Sequence, residues 1–243
     1  MVNDVYIFGD SHWRVFFPFV NHAVTTGMHN AVMHSQTSED GVTVRTIDTT
    51  GNGLSGSTMW GLMNPNSRHG ARNTIINTLD SLGGVENVGL VFGEVDARYH
   101  NSRYFEGDYL CSGRVLELVA RYTRFIQEDL ILSKRVRGTV FLYHGFSYPQ
   151  GKRTLLQPGQ PIGDNHSKAE RVNHVVKEML SVSFMDLPQV RPILPQSRIY
   201  DMVSDDGVHL DPKSVYEKYT FPAMAARFYD GKHYILKTRE IPF

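Results

Sequence analysis

An α/β fold built on a doubly wound, parallel sheet is predicted by three observations. Short apolar or β-branched runs end in Gly, Asn or Asp, and they alternate with longer stretches of helical period. The short runs are nearly continuous in their apolar character rather than strictly alternating, which suits strands covered on both faces. Two of the longer stretches open with recognisable helix-start signals.

Taken in order, the first strand falls at 4–8, where Val5, Tyr6, Ile7 and Phe8 precede Gly9. Further strands are predicted at 42–48, 88–92, 138–144 and 182–187, about five in all. Helices are predicted at 12–23, 67–82, 113–132, 166–180 and 211–228. Pro18 distorts or restarts the first of these. Ser167 and Glu170 form a capping box, and Asp211 stands as an N-cap acid before Pro212. Along 113–132, Val115, Leu118, Val119, Tyr122, Ile126 and Leu130 recur at spacings of three and four and define one core-facing side. Two irregular stretches, 99–112 and 145–164, follow strand ends, where the ligand site of an open α/β sheet lies.

The 243 residues suit one domain, 1–243, and no repeat, low-complexity tract or linker divides them. Twenty-five basic residues balance 25 acidic ones, which removes a bulk electrostatic attraction to nucleic acid or to an anionic membrane. A single cysteine, Cys111, excludes an internal disulfide and a cysteine-based zinc site. No run reaches the roughly 20 apolar residues of a membrane span, and no basic leader precedes the first strand, so cytoplasmic residence is expected. His22, His29, His34 and His69 match no common zinc spacing.

Chemistry concentrates at two places far apart in the chain. The first strand ends in Gly9-Asp10-Ser11-His12, a strand-to-helix turn that exposes a serine and places its N–H among the free donors of a helix start. Near the other end, Asp206 precedes His209 by three residues, just ahead of a helix start. A carboxylate so placed can orient an imidazole and stabilise its protonated form. A doubly wound sheet brings the first strand and the last loop to one edge.

On these residues the chain resembles the SGNH/GDSL hydrolase superfamily, with its N-terminal Gly-Asp-Ser block and its C-terminal Asp-x-x-His block. The resemblance spans essentially the whole chain and implies a three-layer α/β/α, flavodoxin-like sheet and no cofactor. It assigns the nucleophile to Ser11, the general base to His209 and the orienting acid to Asp206; Asp205 lies one position too early. It also implies that a glycine after the second strand donates its N–H to the oxyanion beside Ser11. Gly56 is the best match within 51–58, and Gly53 is a rival.

One block departs from the family pattern. Where the family has Gly-x-Asn-Asp, this chain reads Gly93-Glu94-Val95-Asp96-Ala97-Arg98, so Gly93 and Asp96 match while Val95 replaces the asparagine. Valine cannot donate, and losing one oxyanion donor typically costs about 2.7 to 4 kcal/mol. Arg98, Asn52, His12 and His100 are candidate substitutes, or the hole is reduced to two N–H groups. The run is similar to a divergent Gly-Glu-Ile-Asp-x-Arg form of SGNH-like proteins. Glu94, Asp96 and Arg98 also suit an ion-pair network at the strand end. Asp10 and His144 complete the candidate residues lining the site, and Trp60, Tyr99, Tyr104 and Tyr109 offer rings that either pack loops or stack on sugar faces.

The expected activity is serine-dependent hydrolysis of a small acyl ester, such as an O-acetyl group on a carbohydrate. Transfer of the acyl group to a sugar hydroxyl, and a glycan- or partner-binding module of weakened catalysis, are the alternatives.

Overall fold

The computed structural model describes residues 3–10, 23–24, 32–37, 42–48, 57–64, 66–67, 70–93, 96, 113–143, 176, 178–180, 182–193, 211–215 and 217–218. Seven strands among them form one sheet: β1 (Asn3–Gly9), β2 (Ala23–Val24), β3 (Val32–Thr37), β4 (Val42–Asp48), β5 (Val85–Val91), β6 (Val136–Tyr143) and β7 (Val190–Ile193). Their order is β2-β3-β4-β1-β5-β6-β7. The pairs β4–β1, β1–β5, β5–β6 and β6–β7 are parallel, while β2–β3 and β3–β4 are antiparallel.

Five parallel strands are therefore the doubly wound core, four of them (β1, β4, β5 and β6) at the predicted places, and β2 and β3 extend it at the β4 edge. The winding direction reverses at β1. After β1 the chain forms β2 at the sheet edge and returns through β3 to β4 beside β1, then crosses to the other side of β1 to form β5. Open α/β sheets bind ligands at such a reversal, outside the carboxyl ends of the strands.

Why these segments are strands is visible in their burial. In β5 and β6 the polar positions Glu86 and Arg137 near the start are exposed, whereas Val88–Val91 and Val140–Tyr143 are buried without alternation. One face of the sheet carries Phe8, Val88, Leu90, Val140 and Leu142 into the main core. Val5, Ile7, Val91, Phe141, Tyr143 and Ile193 point the other way and are buried too. A sheet buried on both faces is the middle of three layers.

The main core is closed by α1 (Met59–Met63), α2 (Ala71–Ser81), α3 (Gly113–Arg124) and a π-helical continuation, Phe125–Leu132. Helix α2 contributes Ala71, Ile75 and Leu79, four residues apart. All six positions expected to form the core side of 113–132 are buried there, together with Phe125. The wider helical turn shows in the bond from the Ser133 N–H to the Glu128 carbonyl, 3.2 Å and five residues back. A short α4 (Pro212–Val215) starts where the Asp211–Pro212 signal predicts, and Asp211 Oδ2 accepts the Ser214 N–H at 3.0 Å.

Several sequence expectations need correction. The strand expected at 182–187 is not one: residues 182–184 are helical, and the edge strand is β7. The burial of Val176, Leu180 and Phe184, each four apart, shows that a helical period runs on through Val-Ser-Phe, while Val182 is 64% exposed. Strands β2 and β3 and helix α1 were not anticipated: Ala23, expected at the end of a helix over 12–23, opens β2, and Trp60, expected in a loop, lies in α1. Antiparallel β3 (Val-Met-His-Ser-Gln-Thr) has no continuous apolar run to mark it.

Ion pairs join neighbouring elements: Arg72 with Asp129 (2.7 Å), Arg135 with Asp80 (2.6 Å) and Arg137 with Glu86 (3.0 Å). These groups are partly or largely exposed and stabilise modestly.

Candidate active site

The reversal point is built from the ends of β1 and β5. Gly9 closes β1 opposite Val91, and a Cβ at Gly9 would lie 2.6 Å from both the Val91 Cβ and its carbonyl oxygen. Only glycine allows the two strand ends to approach so closely. The contact is completed by the Asp10 N–H, which donates to the Val91 carbonyl at 2.9 Å. The chain leaves β5 through Phe92 and Gly93, whose φ of 114° is open to glycine and strained for other residues.

Two carboxylates are buried here. Asp10 is 1% exposed and Asp96 fully enclosed. Asp96 Oδ2 accepts the Met59 N–H at 2.5 Å, and Oδ1 accepts the Trp60 N–H at 3.3 Å. These are the first two N–H groups of α1, which lack partners within any helix. Thr58, the N-cap, accepts the next one, from Gly61, on its hydroxyl at 2.7 Å, and its carbonyl accepts the Leu62 N–H at 2.8 Å. The start of α1 is thus fully satisfied, partly by a residue 37 positions away from Met59.

Burial pushes the Asp96 carboxyl up to about 7, against the two N–H bonds that favour its ionised form; the charge of Asp10 adds to the rise. Tyr122 on α3 is fully buried, and its hydroxyl is raised above the ordinary tyrosine range by burial first, then by Asp96 and Asp10. The end of β1, the segment after β5 and α3 therefore meet close enough for their ionisable groups to interact. Among the described residues, the Tyr122 hydroxyl and the Trp60 indole N–H have no hydrogen-bond partner.

Of the candidate site residues, Asp10 and Asp96 are described, and the structure brings both to the reversal point. Ser11, His12, Asn52, Gly56, Glu94, Arg98, His144, Asp206 and His209 lie outside the described residues, as do Val95 and His100. The link from Asp96 to α1 was not anticipated, since nothing local to 94–98 points to a backbone partner near 59. Thr58 ahead of Met59-Trp60 is the one available signal, that of an N-cap. Tyr122 reads in the sequence only as a core position. Among the described residues no group of three or more His, Cys, Asp or Glu side chains gathers as a metal site would require. No helix among them is long and apolar enough to cross a membrane.

No protein-family model matches the chain, and no curated protein matches it either. Among solved structures, it is similar to Est24, a carbohydrate acetylesterase from Sinorhizobium meliloti, with 16% identity and a TM-score of 0.42 over 92% of this chain and 98% of that one. The M. smegmatis aryl esterase is similar with 15% identity and a TM-score of 0.44, over 93% and 98% of the two chains.

Proposed function

We propose that the chain is a serine-dependent hydrolase of small acyl esters. The observation that carries this reading is positional. Ser11 follows directly on Asp10, whose backbone is fixed to the end of β5 at the point where the parallel core reverses its winding.

In this reading Ser11 gives its proton to His209 and attacks the acyl carbonyl, while Asp206 orients the imidazole and stabilises its charged form. The N–H groups of Ser11 and Gly56 receive the oxyanion, with Arg98, Asn52 or His12 supplying what Val95 cannot. Collapse of the tetrahedral intermediate expels the alcohol with a proton from His209. Water, activated by the same histidine, then releases the acid and regenerates Ser11. An O-acetyl group on a carbohydrate is the preferred substrate, because the sequence offers aromatic rings at Tyr99, Tyr104 and Tyr109 that can stack on sugar faces. Acyl transfer to a sugar hydroxyl uses the same groups. Val95 favours a second reading, a glycan-binding module of weakened catalysis, which the presence of Ser11, Asp206 and His209 in matching blocks opposes.

Turnover of p-nitrophenyl acetate by wild type and by Ser11→Ala tests the proposal. Hydrolysis that falls by about 10³-fold or more in the variant is expected. Equal rates in the two proteins would refute it.

A further inference from the structure

We propose that Asp96 is a positioning residue for the oxyanion-binding backbone: its buried carboxylate clamps the first two N–H groups of α1 and so fixes the chain just after Gly56 against the ends of β1 and β5. The inference rests on the esterase reading, in which Gly56 donates its N–H to the oxyanion.

Three observations carry it. The carboxylate bridges elements that are distant in sequence, since Asp96 lies beyond the end of β5 whereas Met59 and Trp60 follow β4. Met59 lies only three residues beyond Gly56, and three residues reach at most about 11 Å. The residues between them, Ser57 and Thr58, are 1% and 8% exposed, so the link from clamp to glycine is itself packed in place. A shift at Met59 is therefore passed along Thr58 and Ser57 rather than absorbed in solvent.

A plain helix cap does not account for this arrangement. Thr58 already caps α1 locally, and a neutral hydroxyl or amide would accept an N–H without the penalty of burying a carboxylate beside a second one, Asp10. Two acceptor oxygens on one rigid group hold two adjacent N–H donors at once. That restricts the orientation of the helix start as well as its stability. An oxyanion hole depends on donors held to within a fraction of an ångström, so a loosened clamp acts on the transition state more than on bound substrate.

The full-length Asp96→Asn variant tests the proposal, because it keeps side-chain volume while turning an NH₂ group toward one of the two backbone donors. Leu130→Ala is the control: Leu130 is fully buried, but in the π-helical segment just ahead of β6, with no bond to α1's first N–H groups. With p-nitrophenyl acetate, Asp96→Asn is expected to lose on the order of 10²-fold in kcat with KM little changed. Amide hydrogen exchange within 57–62 is expected to accelerate by about tenfold or more relative to the rest of the sheet. Leu130→Ala should leave kcat and that local exchange ratio as in wild type. Unchanged exchange at 57–62, an unchanged kcat, or an equal loss in Leu130→Ala would each overturn the proposal. If wild-type turnover proves independent of Ser11, the esterase reading falls and takes the positioning role with it. The exchange measurement separates that failure from failure of the clamp.

Discussion

Asp96 illustrates how one residue can be legible in type and obscure in role. Its place after a strand in Gly-Glu-Val-Asp marks it as a site candidate, yet its partners are two backbone N–H groups beyond β4, which no local pattern announces. Its ionisation has a consequence for folding. Burial lifts the carboxyl from 3.8 to about 7, with Asp10 assisting and with Tyr122 a further titratable group nearby among the described residues. The folded protein then binds a proton that the unfolded chain has released. The stabilisation from that proton is complete below about pH 4 and is lost as pH rises through 7. We expect urea denaturation to show stability declining across this window, and Asp96→Asn to flatten that part of the profile. A parallel decline in wild type and variant would place the titration elsewhere.

Elements follow from sequence where burial imposes a period. The core side of α3 and its π-helical extension was readable because Val115, Leu118, Val119, Tyr122, Ile126 and Leu130 recur at helical spacing, and all are buried. The start of α4 was readable because a capping acid before proline acts within a few residues. Apolar content misled at 182–187, where Val182, Phe184, Met185 and Leu187 read as a short apolar run although residues 182–184 are helical. The short β2 and the polar-rich β3 carried no period strong enough to detect. At this scale the start of α1 offers a graded test. Thr58→Ala removes one local bond, from the Gly61 N–H, and should cost about 1 kcal/mol in chemical denaturation with little effect on kcat. A loss of kcat as large as that in Asp96→Asn would show that local capping, not the long-range clamp, controls the site.

Across the whole molecule, strand order decides where chemistry can occur. A sheet wound β4-β1-β5-β6-β7 places the end of β1 beside the end of β5, and Gly9 lets the two meet. The doubly wound core could be inferred because near-continuous apolar strands alternate with amphipathic helices; the extra antiparallel edge could not, because pairing direction is set by contacts outside each strand. In the proposed reading, the Gly-Asp-Ser and Asp-x-x-His blocks make Ser11 the nucleophile. Labelling with a fluorophosphonate probe, followed by peptide mass analysis, tests that claim most directly. The account predicts one equivalent of covalent adduct on Ser11, absent in Ser11→Ala and strongly slowed in His209→Ala. An unlabelled Ser11, or an adduct on another residue that survives in Ser11→Ala, would contradict it.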